Sequence, residues 1–101
     1  MAIQNTSLSA STAANVYVSS GSTVVSVMYF CNTDTSARNL SLYAVPSGGS
    51  VSNGTKIYSN VQIAIDDTLV VDMEKLVLAN GDYLVANATG TMTATVSYVG
   101  I

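Results

Sequence analysis

The stretch from Ser22 to Pro46, STVVSVMYFCNTDTSARNLSLYAVP, constrains the fold more than any other part of the sequence. Two apolar runs rich in β-branched and aromatic residues, Thr23–Cys31 and Leu40–Val45, flank the polar link Asn32–Asn39. Such runs favour β-strands, and a polar link without helical periodicity favours a loop. The stretch therefore predicts a β-hairpin with a long loop.

The first of these runs is apolar on both of its alternating sides. One side carries Val24, Met28 and Phe30, and the other carries Val25, Val27, Tyr29 and Cys31. A strand that is apolar on both sides needs cover on both faces. We therefore expect it to be a central strand whose second face meets another sheet edge or another protein.

The rest of the chain continues as short alternating runs separated by turn residues. The clearest is Thr91–Val99, where Met92, Ala94, Val96 and Tyr98 alternate with Thr and Ser. The pattern predicts an all-β fold of about seven to nine short strands, a single antiparallel β-sandwich that is Ig-like or jelly-roll-like, without significant helix. Residues 1–12 are expected to be an N-terminal arm or edge strand, and residues 13–101 the sandwich domain.

Charged residues are scarce on this chain. They make up 9% of the 101 residues, whereas hydrophobic residues make up 49%. An average soluble domain is about 25% charged and uses that charge to stay soluble and unassociated. Ser, Thr and Asn fill the outward positions instead, which favours a surface that packs against other protein. A neutral polar exterior on a free domain is the alternative.

The charge pattern also bears on partners and location. The cations are Arg38, Lys56 and Lys75, and the net charge is −3, so no basic patch for nucleic acid can be assembled. The N-terminus lacks the features of a signal peptide, and no run is long enough for a membrane-spanning helix. We expect synthesis in a cytoplasm and no nucleic-acid or membrane partner.

The sequence offers little material for catalysis. It contains no His, and its single cysteine, Cys31, lies in an apolar run. The carboxylate candidates are the pairs Asp66/Asp67 and Asp72/Glu74, together with Asp82, and their positions at strand ends fit turns better than an active site. Calcium at Asp66 and Asp67 remains an alternative without supporting spacing. We predict no enzyme activity, no catalytic residue, no cofactor and no metal site.

Tyrosines and isolated apolar residues are the candidates for contacts. The candidate interface residues are Ile3, Leu8, Tyr17, Tyr43, Tyr58 and Ile101. Tyrosine combines an apolar ring with a polar tip, which suits subunit contacts. If Tyr17, Tyr43 and Tyr58 shared an exposed face, they would instead indicate a receptor- or glycan-binding module at a fibre tip.

Several segments resemble a known group of proteins. They are Met28–Thr33 (MYFCNT), Leu40–Gly49 (LSLYAVPSGG), Ile57-Tyr58, Asp72–Asp82 (DMEKLVLANGD) and Val96–Ile101 (VSYVGI). From Val16 onward the chain resembles small virion proteins of tailed bacteriophages, notably those of aquatic bacteria. The resemblance implies a β-sandwich subunit present in many copies, as head decoration or as a neck or tail accessory, with no active site to transfer.

The resulting expectation is a bacteriophage virion structural protein. Its partners would be the major capsid, neck or tail subunits, and it would form a homo-oligomer, a trimer or higher, in the virion. A building block of this kind acts through repeated small contacts that sum over a symmetric particle.

Overall fold

The described part of the chain folds into nine β-strands. The computed structural model describes residues 2–71 and 76–101, and these contain no helix, hence none that could span a membrane. The strands are β1 (Ala2–Leu8), β2 (Ala14–Val18), β3 (Thr23–Asn32), β4 (Arg38–Val45), β5 (Lys56–Ile63), β6 (Thr68–Val71), β7 (Leu76–Leu78), β8 (Tyr83–Ala88) and β9 (Met92–Gly100).

The strands form two antiparallel sheets that pack as a sandwich, as predicted. The first sheet has the order β1-β9-β3-β6, with β7 beside β6 on the same edge of β3, and the second has the order β2-β8-β4-β5. The pairs are nested: β1 with β9, β2 with β8, β3 with β6 and β7, and β4 with β5. Of the two expected topologies, this is the jelly roll, with its sixth strand divided into β6 and β7.

The predicted hairpin between the two apolar runs is wrong, although both runs are strands. β3 pairs with β6, β7 and β9 in the first sheet, whereas β4 pairs with β5 and β8 in the second. Each run has a core-facing side, and the link at 33–37 carries the chain from one sheet to the other. The two runs therefore face each other across the core instead of sharing a ladder.

β3 is a central strand, as predicted, but its two sides differ from the simple alternation. Its pairing with β9 shifts register between Val25 and Val27, which is a β-bulge. Val25 therefore faces the core together with Met28 and Phe30, and Val24 moves to the outside. The sequence pattern alone did not locate this irregularity.

The core fills the space between the sheets. Its largest fully buried side chains are Phe30, Leu8, Met28, Leu40, Leu42, Leu84 and Met92. Leu8 ties β1 to this core, so residues 1–12 include an edge strand of the first sheet. The Tyr17 and Tyr98 rings meet at the core margin with centroids 4.5 Å apart.

Candidate interaction surface

One face of the sandwich presents apolar side chains to the outside. We call it the outer face: the outward side of the first sheet, defined by alternation with the core-facing residues of the same strands. Its apolar members are Ile3, Val24, Val27, Tyr29, Cys31, Val70, Val77 and Val99, and its polar members are Asn5, Ser7, Ser26, Thr68, Thr93, Thr95 and Ser97.

The apolar members form rows across the strands. Val24 lies between Val77 of β7 and Val99 of β9 in the pairing register. Tyr29 lies beside Val70 of β6, and the two are 41% and 45% exposed. Val77 and Ile3 are exposed further, at 68% and 65%. Apolar side chains are therefore exposed across the full width of this sheet.

The five strands of the first sheet contain no Asp, Glu, Lys or Arg. Charged residues of the described ranges lie in the second sheet and in connecting segments: Asp34, Arg38, Lys56, Asp66, Asp67 and Asp82. Edge charges and scattered surface charges are the usual means by which a soluble sheet avoids association. Within residues 2–71 and 76–101, the outer face and the strands at its edges carry neither.

Four of the seven polar residues on the outer face, Asn5, Ser26, Thr95 and Ser97, bond to one another in pairs. The Thr95 hydroxyl donates to Asn5 Oδ1 at 2.9 Å, and the Ser26 hydroxyl lies 3.0 Å from the Ser97 carbonyl oxygen, to which it donates. A polar group that already has a hydrogen-bond partner within the protein has a smaller desolvation penalty when a second protein displaces water from it. Covering this face with protein is therefore less costly than covering an ordinary hydrated surface.

The structure places the six candidate interface residues in three environments. Ile3 and Ile101 are exposed, at 65% and 73%. Leu8 and Tyr17 are buried in the core, so they present nothing to a partner in this fold. Tyr43 and Tyr58 are half-buried on neighbouring strands.

The three tyrosines considered for glycan binding do not share a face. Tyr17 is buried, and its hydroxyl lies 3.3 Å from the Thr23 hydroxyl. Tyr58 packs against the core, whereas Tyr43 lies on the opposite side of the second sheet with Lys56 Nζ 5.6 Å from its ring centroid. No aromatic platform for a sugar ring results from this arrangement.

The most organised carboxylate is Asp34, in the link between β3 and β4. It accepts hydrogen bonds from the backbone N–H groups of Thr91 and Thr35, at 2.9 and 2.6 Å, and Arg38 Nε lies 3.2 Å from its Oδ2. These donors, the Thr91 amide foremost, lower the pKa of Asp34 from 3.8 to about 2. Asp34 is therefore a charged anchor for two connecting segments.

Two of the other described carboxylates, Asp67 and Asp82, also hold turns. Asp82 accepts from the backbone N–H groups of Ser47 and Ala79, both at 2.9 Å, and Asp67 accepts from that of Thr68 at 2.8 Å. The candidates Asp72 and Glu74 lie outside the described residues. Within residues 2–71 and 76–101 there is no group of three metal-ligating side chains and no pocket.

Sequence reasoning missed several residues of the outer face. Val70 and Val77 lie in strands of four and three residues, too short for a clear alternation to emerge. The available signal was the second apolar side of β3, which includes Tyr29 and Cys31. Its need for cover was predicted, but the neighbouring strands that extend the surface were not.

Comparison with known proteins adds no relative: no family model, curated protein or solved structure matches the chain. The resemblance to phage virion proteins therefore rests on the sequence segments quoted above.

Proposed function

We propose that this chain is a structural subunit of a bacteriophage virion, a multicopy head decoration subunit or a neck or tail accessory subunit that acts through protein–protein contacts. Its partners in this proposal are the major capsid, neck or tail subunits and further copies of itself. The observation that carries the proposal is the uncharged, partly apolar outer face.

The size of the outer face suits a specific contact. Four strand positions at about 4.8 Å spacing and a length of about 30 Å give a flat area of roughly 600 Å². The accessible area of a corrugated face is larger, and a standard interface buries about 800 Å² per partner. One covered sheet face is thus of the size that a stable contact needs.

The fold supports the proposal by analogy. Double-sheet jelly rolls occur in viral capsid proteins, but also in lectins and in cupins, so the topology alone does not select a function. The separated tyrosines give the lectin-like alternative no sugar platform. Among these classes, an assembly subunit is the one that needs an uncharged, partly apolar outer face for its contacts.

The test is the protein content of purified particles of the phage that encodes the chain. We expect mass spectrometry to detect it in many copies per particle. Particles that contain every other structural protein but lack this chain would refute the proposal.

A matched pair of variants tests the surface itself. Val70→Lys places a charge on the outer face, and Val51→Lys places the same charge on a valine of similar exposure, 42% against 45%, outside both sheets. We expect both variants to fold, and only Val70→Lys to be lost from particles. Equal incorporation of the two would remove the outer face from the proposal.

A further inference from the structure

The first sheet ends in an open edge at β1. Among the described strands β1 pairs with β9 alone, through seven consecutive residue pairs from Ala2↔Tyr98 to Leu8↔Met92 without a register shift. The strand AIQNTSL contains no charge and no proline. Its second row of backbone N–H and C=O groups is therefore regular and has no partner among the described strands, which makes it a template for pairing with another strand.

The other sheet edges are protected against such pairing. β2 has five residues and a register shift between Asn15 and Tyr17. β5 has two register irregularities against β4, and Asn60 within it has a φ of 52°. β6 and β7 have only four and three residues. Short strands and bulges are the usual protection of an edge, and β1 has neither.

We propose that β1 pairs antiparallel with β1 of a second copy of this chain, across a two-fold axis at Asn5. Full overlap of Ala2–Leu8 with itself places Ala2 opposite Leu8 and Ile3 opposite Ser7. Residues that lie opposite each other are then both at even or both at odd positions of the chain. Core-facing positions of one copy therefore lie opposite core-facing positions of the other. The two first sheets become one continuous sheet, and their outer faces join.

Charge does not oppose a second copy at this edge. The chain carries a net charge of −3, so two copies repel each other overall. At β1 the approaching strand and its neighbours β9 and β3 are uncharged. Self-pairing there places no like charges opposite each other, which would otherwise oppose strand association.

The pairing concerns the chain itself and does not depend on the proposed virion role. A two-fold contact joins two copies, and the outer face is left free for other contacts. Detection of the chain in particles and pairing at β1 are therefore separate measurements, and each can fail while the other succeeds.

Disulfide trapping tests the register. In a Cys31→Ser background, Asn5→Cys brings two thiols to directly opposite positions, whose Cα separation of about 4.5–5.5 Å suits a disulfide. The control Ser7→Cys lies four residues from its own symmetry mate, about 13 Å away along the strand, which is too far. We expect a covalent dimer from Asn5→Cys and none from Ser7→Cys under mild oxidation. Equal cross-linking of the two variants would overturn the proposal.

Light scattering on the full chain provides the second readout. We expect a mass that rises with concentration towards twice the 10.4 kDa of one chain. Asn5→Lys places like charges on the axis and should raise the dimer dissociation constant by about tenfold or more, whereas Asn15→Lys on β2 should not. A monomer mass at every concentration, or equal dissociation constants for the two variants, would contradict pairing at β1.

Discussion

The Asn32 side chain holds the crossing between the two sheets, and its removal should measurably destabilise the fold. Asn32 is 1% exposed at the end of β3. Its Nδ2 donates to the carbonyl oxygens of Ser36 and Ile63, both at 2.9 Å, and its Oδ1 accepts from the backbone N–H of Asp34 at 2.9 Å. One side chain thus connects β3, the following link and the end of β5.

Asn32→Ala removes all three hydrogen bonds and leaves their partners without them. A net cost of about 1 kcal/mol for each bond gives a loss of about 3 kcal/mol in the free energy of unfolding. That is a large part of the 5–15 kcal/mol that is typical of a domain. With a urea slope of about 1.5 kcal/mol/M, the unfolding midpoint falls by about 2 M.

Equilibrium urea unfolding, followed by circular dichroism, measures this loss directly. The matched control is Asn53→Ala, because Asn53 is exposed in the connection between β4 and β5. We expect the control to stay within about 0.5 kcal/mol of the wild type. If Asn32→Ala shifted the midpoint no more than Asn53→Ala, the assignment of the crossing to Asn32 would be refuted.

Three further predictions follow from the link and the outer face. Gly90→Ala should lower the free energy of unfolding, measured in urea, by about 1–3 kcal/mol, because the added Cβ would overlap Asp34 Oδ2 and Arg38 Nε. The control Gly100→Ala should not lower it, because a Cβ there meets no atom within 4 Å. The pKa of Asp34 falls from 3.8 to about 2 on folding, so the stability that its charge contributes is complete above the unfolded value and is lost as pH falls towards 2. Over that range the stability of the wild type should approach that of Asp34→Asn. A difference between the two that stayed constant with pH would contradict this. Val70→Lys should change the thermal midpoint little, as expected for an exposed position, and a large drop would show that the residue serves the fold instead of a contact.

Local patterns predicted the strands well. Leu40, Leu42 and the alternating apolar residues of β9 are core-facing, and the runs that contain them are strands. The pattern of short alternating runs also predicted the absence of significant helix, and residues 2–71 and 76–101 contain none. These features depend on side-chain periodicity within one segment, which the sequence displays directly.

Which strands pair with each other was harder to predict from the sequence, because strand pairing depends on contacts between distant segments. The sequence of the link between β3 and β4 is compatible with a hairpin and with a crossing between sheets. The crossing is held by long-range hydrogen bonds, from Asn32 to the end of β5 and from Thr91 to Asp34, which the local sequence does not reveal. The bulge near Val25 was likewise not predictable from β3 alone, because it is a shift in the register of β3 against β9.

The residues of the outer face were mostly not predicted. Low charge predicted a surface that packs against other protein, which stays a prediction, and of its candidate residues Ile3 is exposed on the outer face. Leu8 and Tyr17 were chosen because they are apolar or aromatic in weak segments, but the same properties favour burial in the chain's own core. Which apolar residues stay outside depends on sheet order, and that order emerged only from the fold.

A reconstruction of the purified particle at side-chain resolution tests the central claim most directly. We expect that this chain is present in many copies and that protein covers Tyr29, Val70 and Val77 on the outer face. Particles without the chain, or copies whose outer face is open to solvent throughout, would contradict it.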